Sequence, residues 1–153
     1  MAYSDGIRKQ RFNPDTAADL IDALLVSKDV MLEQNSAQTT ASATPATISG
    51  LSQAVTIASG EQVKLTFQGS FSAATAGHDF TLYMQQNGVT VESFSWISED
   101  TDTAGKDEYI TWSYLLTAPA TGSVTYRVQW SADDSSDWHM RKGKLFIEVR
   151  RRS

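Results

Sequence analysis

The chain has no cysteine among its 153 residues, and only two histidines and three prolines. Without thiols there are no disulfides, no thiolate zinc site and no cysteine nucleophile. Small secreted domains are often stapled by disulfides, so the composition reads as that of a product made in a reducing cytoplasm. No apolar run approaches the roughly 20 residues of a membrane span. The first twelve residues carry basic side chains but no apolar core, so they do not read as a secretion signal. A net charge of −5 argues against a general nucleic-acid binder, which would be basic. No phosphate loop, dinucleotide fingerprint or nucleophile elbow occurs. His78 and His139 have no partner at metal-ligand spacing. These absences predict a protein that is not an enzyme and that holds no cofactor or metal.

What is present changes period near residue 48. Asn13-Pro14-Asp15 has the makings of a helix start: a capping side chain, a proline suited to the first turn, and an acid at the positive end of the dipole. The spacing of Leu20, Ile21, Leu24, Leu25, Met31 and Leu32 predicts an amphipathic helix reaching about Asn35. Its apolar stripe needs cover from the body, from sister copies or from another protein. Arg8, Lys9 and Arg11 form a basic arm before it, while Asp15, Asp19, Asp22, Asp29 and Glu33 make the helix acidic. Ser36 to Thr47 is small, polar and unpatterned, which marks an extended linker.

From residue 48 onward apolar and polar residues alternate. Val63, Leu65 and Phe67 alternate with Lys64, Thr66 and Gln68; Phe80, Leu82 and Met84 with Thr81, Tyr83 and Gln85. Asn87-Gly88 supplies a hairpin turn with positive φ. Val124, Tyr126, Val128 and Trp130 form another strand face, and Leu145, Ile147 and Val149 a last one. Strands at this spacing predict a β-sandwich or barrel. The expected organisation is therefore an arm and anchoring helix over 1–35, a linker over 36–47, and a β domain over 48–153.

The acidic loops Glu99-Asp100-Thr101-Asp102 and Asp133-Asp134-Ser135-Ser136-Asp137 could gather oxygen ligands, but neither has the glycine and terminal glutamate of a calcium loop. Asp and Ser are also ordinary turn residues. Trp130 falls on an apolar strand face and reads as core. Trp96 and Trp138 border the acidic loops. With Asp100, Asp102 and Asp137 they are the candidates for holding a ligand, a host surface glycan above all. Tyr109, Trp112, Tyr114 and Leu115 put large apolar groups on both faces of one strand. A sandwich buries only one face, so this strand is the candidate interface of a homotrimer.

Val124 to Trp130, a polar loop, and Lys144-Leu-Phe-Ile-Glu-Val149, together with the Asn87-Gly88 hairpin, resemble the last strands of jelly-roll domains in tailed-bacteriophage fibres and capsid accessory proteins. The resemblance covers about residues 48–153. It implies a trimeric jelly roll and no catalytic residue. The resulting expectation is a jelly-roll virion protein, such as a capsid decoration or short head fibre. It would be anchored to another virion protein through Arg8, Lys9, Arg11, Leu20, Leu24, Leu25 and Met31. A receptor-binding tail-fibre adhesin is the alternative. Neither reading involves nucleic acid or a membrane.

Overall fold

A computed structural model describes residues 26–74, 78–97, 107–132 and 137–150. Among them the chain forms nine strands and no helix: β1 (Val26–Gln34), β2 (Gln38–Thr40), β3 (Ala46–Ile57), β4 (Gln62–Ala73), β5 (Asp79–Gln86), β6 (Val89–Ile97), β7 (Glu108–Thr117), β8 (Gly122–Ala132) and β9 (Trp138–Arg150). They make two antiparallel sheets. One has the order β1-β9-β4-β7, with β2 also on β9; the other has the order β3-β8-β5-β6. The pairs β1·β9, β3·β8, β4·β7 and β5·β6 are those of a hairpin wound twice around a barrel, which is the jelly roll.

Alternation decides which side of each strand is buried. Val63, Leu65 and Phe67 of β4, Leu82 and Met84 of β5, Val124, Tyr126, Val128 and Trp130 of β8, and Leu145, Ile147 and Val149 of β9 all face one core between the sheets. Aromatic rings fill its middle. Phe71 stacks on Phe80 with centroids 4.7 Å apart and tilts against Trp130 at 6.1 Å. Gly69 sits opposite Gly143 on β4 and β9, and a Cβ on it would meet the Phe67 ring at 2.6 Å and the Phe71 ring at 2.7 Å. The Asn87-Gly88 turn is as expected, with φ of 50° and 82°. Asn87 also accepts a 2.9 Å hydrogen bond from the Thr125 backbone N–H, which ties the hairpin to β8.

The helix expected up to Asn35 is corrected over its second part. Residues 26–34 form β1, antiparallel to β9, with Met31 opposite Phe146 and Leu32 opposite Leu145. Val30 and Leu32 pack on the core while Asp29, Met31 and Glu33 face outward, a period of two. The β9 edge supplies a ladder that a lone helix would forgo, and tertiary pairing overrides helix propensity. Residues 1–25, which hold the rest of the expected helix, lie outside the described residues.

Ser36 to Thr47 is not a free spacer. Gln38–Thr40 pairs with β9, and the Ala132 N–H donates to the Ser42 carbonyl at 2.8 Å on the other sheet. The Gln38 amide exchanges two 3.0 Å bonds with the Ser49 backbone. The segment is the crossing from one sheet to the other.

Candidate functional site

The two outer faces differ in chemistry. The β3-β8-β5-β6 sheet carries few charges: Asp79 on β5, Glu92 on β6 and Arg127 on β8. Its hydroxyls and amides bond to one another: Thr81 to Ser95 at 2.9 Å, Tyr83 to Ser131 at 3.0 Å, Gln129 to Thr47 at 3.3 Å. Arg127 donates to the Gln85 side-chain oxygen at 2.7 Å. Tyr126 lies in the core beneath this sheet. Burial raises its phenol pKa above the ordinary range, and a hydrogen bond from Gln86 opposes that only in part. This face has satisfied its own polar groups.

The face of the β1-β9-β4-β7 sheet is charged and uneven. Lys64 pairs with Glu148 at 3.6 Å, Arg141 with Asp107 at 2.8 Å, and Lys144 with Glu33. The Lys144 hydrogen bond and charge hold the Glu33 carboxyl below its usual range. The β4–β9 register shifts beside Ser70, where Ser70 opposes Lys142 and Phe71 opposes Met140. Arg141 is the extra residue of that bulge, and both Arg141 and Lys142 are exposed.

Between the sheets, along the side closed by β6 and β7, lies an aromatic cluster. Phe94 and Trp96 of β6 have centroids 6.2 Å apart, and Phe94 lies 5.9 Å from Trp112 of β7. All three rings and Tyr114 are only half-buried, although they pack against the core. On the other side of β7, Tyr109 is 82 % exposed and Leu115 55 %. Tyr109, Trp112, Tyr114 and Leu115 thus occupy the two faces of one strand, as the alternation predicts. Among the described residues no strand pairs with the free edge of β7.

Of the expected ligand residues, Trp96, Asp137 and Trp138 lie among the described residues. Trp138 is 1 % exposed and lies 4.4 Å from the Phe80 ring, so it is core and offers no face to a sugar. Trp96 belongs to the β6–β7 cluster, with its indole N–H buried and without an acceptor. Asp137 is exposed, and its carbonyl accepts from the Ala74 N–H at 2.9 Å. Asp100 and Asp102 lie outside the described residues. So do Arg8, Lys9, Arg11, Leu20, Leu24 and Leu25 of the expected anchor, whereas Met31 is 55 % exposed on β1. His139 bonds Thr39 at 3.0 Å through Nδ1. The sequence reading missed Phe94 and the cations of β9. A signal for the cations existed: the inward residues step from Trp138 and Met140 to Gly143 and Leu145, and a phase change in a strand marks a bulge.

No protein-family model matches the chain, and no curated protein matches it in sequence. Solved structures do share its fold. The VP2 subviral particle of infectious bursal disease virus aligns with a TM-score of 0.50 and 12 % identity, over 82 % of this chain and 34 % of VP2. The T=1 particle derived from the same virus gives 0.52 at 11 % identity, over 80 % and 32 %. The chain spans about a third of the length of those proteins. A CBM36-1 domain of a xylanase from the hindgut metagenome of Trinervitermes trinervoides aligns at 0.41 and 15 % identity, over 77 % of this chain and 96 % of that domain. The chain is therefore a jelly-roll sandwich, and it shares that fold with about a third of VP2.

Proposed function

We propose that the protein is a structural component of a bacteriophage virion: a trimeric capsid decoration or short head-fibre subunit, attached through its N-terminal segment and displaying the jelly roll outward. The observation that carries the reading is strand β7. From Tyr109 to Thr117 it has no charge, proline or glycine, its edge is unpaired among the described residues, and it exposes Tyr109 and Leu115. Such an edge is an aggregation hazard in a monomer and a ready interface in an assembly. Copies packed about a threefold axis would cover it together with the half-buried Trp112 and Tyr114. The trimer number comes from the resemblance to phage fibre and capsid accessory domains. The reading includes no catalysis.

The test is light scattering at micromolar concentration, with Leu115→Asp beside the wild type. A wild-type trimer that Leu115→Asp dissociates, with its circular dichroism unchanged, supports the assembly. A wild-type monomer refutes it. Co-purification with a virion, lost on removal of residues 1–25, tests the attachment. The adhesin alternative no longer has Trp138 to rest on.

A further inference from the structure

The outer face of the β1-β9-β4-β7 sheet carries a depression of about 520 Å³ at its β7 end. The register fixes what lines it. Lys142, Ser70 and Tyr109 stand side by side on β9, β4 and β7, and Lys144, Gln68 and Thr111 form the adjacent row. Strands lie about 4.8 Å apart and same-face neighbours about 7 Å apart, so the two rows frame a platform of about 10 by 7 Å. That is the footprint of one pyranose ring. The first row runs long, short, long. Ser70, 6 % exposed, lies low between a lysine and a tyrosine that is 82 % exposed.

The charge is as specific as the shape. In a chain of net charge −5, three cations fall within four residues of β9: Arg141, Lys142 and Lys144. Asp107 pairs with Arg141 and Glu33 with Lys144, while Lys142 forms no salt bridge among the described residues. Lys142 also acts on Glu33 by charge, so among the described residues three cations share two carboxylates here. The bulge at Arg141 sets both Arg141 and Lys142 on the exposed surface at its rim. Convergent polar groups around a concave surface beside an aromatic side chain are the usual make-up of a small-ligand site.

The geometry points to a binding site for an acidic saccharide unit. The carboxylate would meet Lys142 and Arg141, the ring hydroxyls would meet Ser70, Gln68 and Thr111, and the sugar face would lie against Tyr109. Guanidinium and ammonium donors suit a carboxylate, and arginine can bind it through two parallel bonds. The site does not depend on the virion reading. Tyr109 also lies on the β7 edge proposed as the interface; Leu115 is six residues, about 20 Å, further along, so Leu115→Asp separates the copies without altering the depression.

The experiment titrates the full chain with cellobiouronic acid, its neutral counterpart cellobiose, and inorganic phosphate. Amide NMR shifts follow the binding and light scattering runs in parallel. The expected result is saturable binding of cellobiouronic acid that moves the Ser70, Tyr109 and Lys142 amides. Cellobiose should bind at least about tenfold more weakly, the loss of one good charged contact. Arg141→Gln with Lys142→Gln should lose about tenfold, and Asp107→Asn should tighten binding by freeing Arg141. Lys64→Gln, on the same face but outside the depression, should change nothing. In the Leu115→Asp background, where the copies are separated, Tyr109→Ala should still weaken binding. Absence of binding overturns the proposal, as does binding that survives loss of both cations. Phosphate binding as tightly as cellobiouronic acid would overturn the saccharide part. Tyr109→Ala acting only through loss of the oligomer would remove the tyrosine from the site.

Discussion

Replacing Gly69 by alanine tests the packing of the sandwich at its tightest point. A Cβ there would stand 2.6 Å from Phe67 Cζ, 2.9 Å from Phe67 Cε1 and 2.7 Å from Phe71 Cε2. Neither ring has room to retreat. Both are fully buried, and Phe71 is held by Phe80 at 4.7 Å and Trp130 at 6.1 Å. Overpacking of a dense core costs about 1–3 kcal/mol. Alanine also restricts the unfolded chain, which returns about 0.4–1 kcal/mol. Three contacts under 3 Å place the steric cost at the upper end, so a net loss of about 2 kcal/mol is expected. At this chain length that lowers Tm by roughly 7 °C. Thermal and urea unfolding would measure it. Gly60 has nothing within 4 Å of a Cβ but a φ of +83°, so Gly60→Ala isolates the separate backbone cost of about 1–2 kcal/mol. Phe67→Leu should open space, and Gly69→Ala should then cost less than in the wild type. A Gly69→Ala variant as stable as wild type, or a double variant whose losses simply add, would refute the packing argument.

Three further outcomes follow from the same structure. Asn87→Ala should destabilise by about 1–2 kcal/mol in urea unfolding, because it forces a side chain less suited to positive φ and leaves the Thr125 N–H without its acceptor; Asn87→Gly, which keeps the turn, should cost less. Glu33 is held below the ordinary glutamate range by Lys144, so its hold on β1 is complete at neutral pH and fades as pH falls through that lowered value. Hydrogen exchange of the β1 amides should therefore quicken in acid relative to β4, and Glu33→Gln should remove the difference. Deleting residues 1–35 strips β1 from β9 and should lower the urea midpoint and promote aggregation.

The sandwich was legible wherever one strand face is wholly apolar. Val63-Leu65-Phe67 and Val124-Tyr126-Val128-Trp130 alternate cleanly because each buries one side against the other sheet. The stretch from Val26 to Gln34 was not legible, since Leu24, Leu25, Met31 and Leu32 satisfy a helical stripe as well as Val30 and Leu32 satisfy an alternating one. Only the β9 ladder decides between them, and that ladder is 109 or more residues away along the chain. The linker was misread for a related reason. Small polar residues look unpatterned, yet the Gln38 side chain and Ser42 carbonyl find partners that no local pattern announces. Trp138 was misplaced because it follows an acidic turn; in the structure the strand begins at once and sends the indole inward. The depression at Ser70 depends on which residues of β9, β4 and β7 share a row, and register of that kind is set by pairing across the sheet.

The edges of the two sheets are not equally protected, and that inequality bears on how the protein would assemble. The β1 edge carries Asp29 and Glu33, charges that discourage pairing with another strand. The β3 edge is interrupted between Thr47 and Ser52, where Gly50 adopts a φ of +83° and the ladder with β8 breaks. The β6 edge holds Glu92 and faces a register shift at Met84 and Gln85. β7 has none of these devices. Its regular ladder with β4 runs from Gln62·Thr117 to Phe71·Glu108 without a bulge, and the strand between Tyr109 and Thr117 is uncharged. A sequence that interrupts or charges three edges and leaves the fourth regular and uncharged from Tyr109 to Thr117 supports contact between copies there. The β1 edge, continuous with the N-terminal arm, lies at the far side of the same sheet. On the proposed reading, self-association and attachment to the particle would then use opposite edges of one sheet, and neither contact would obstruct the other.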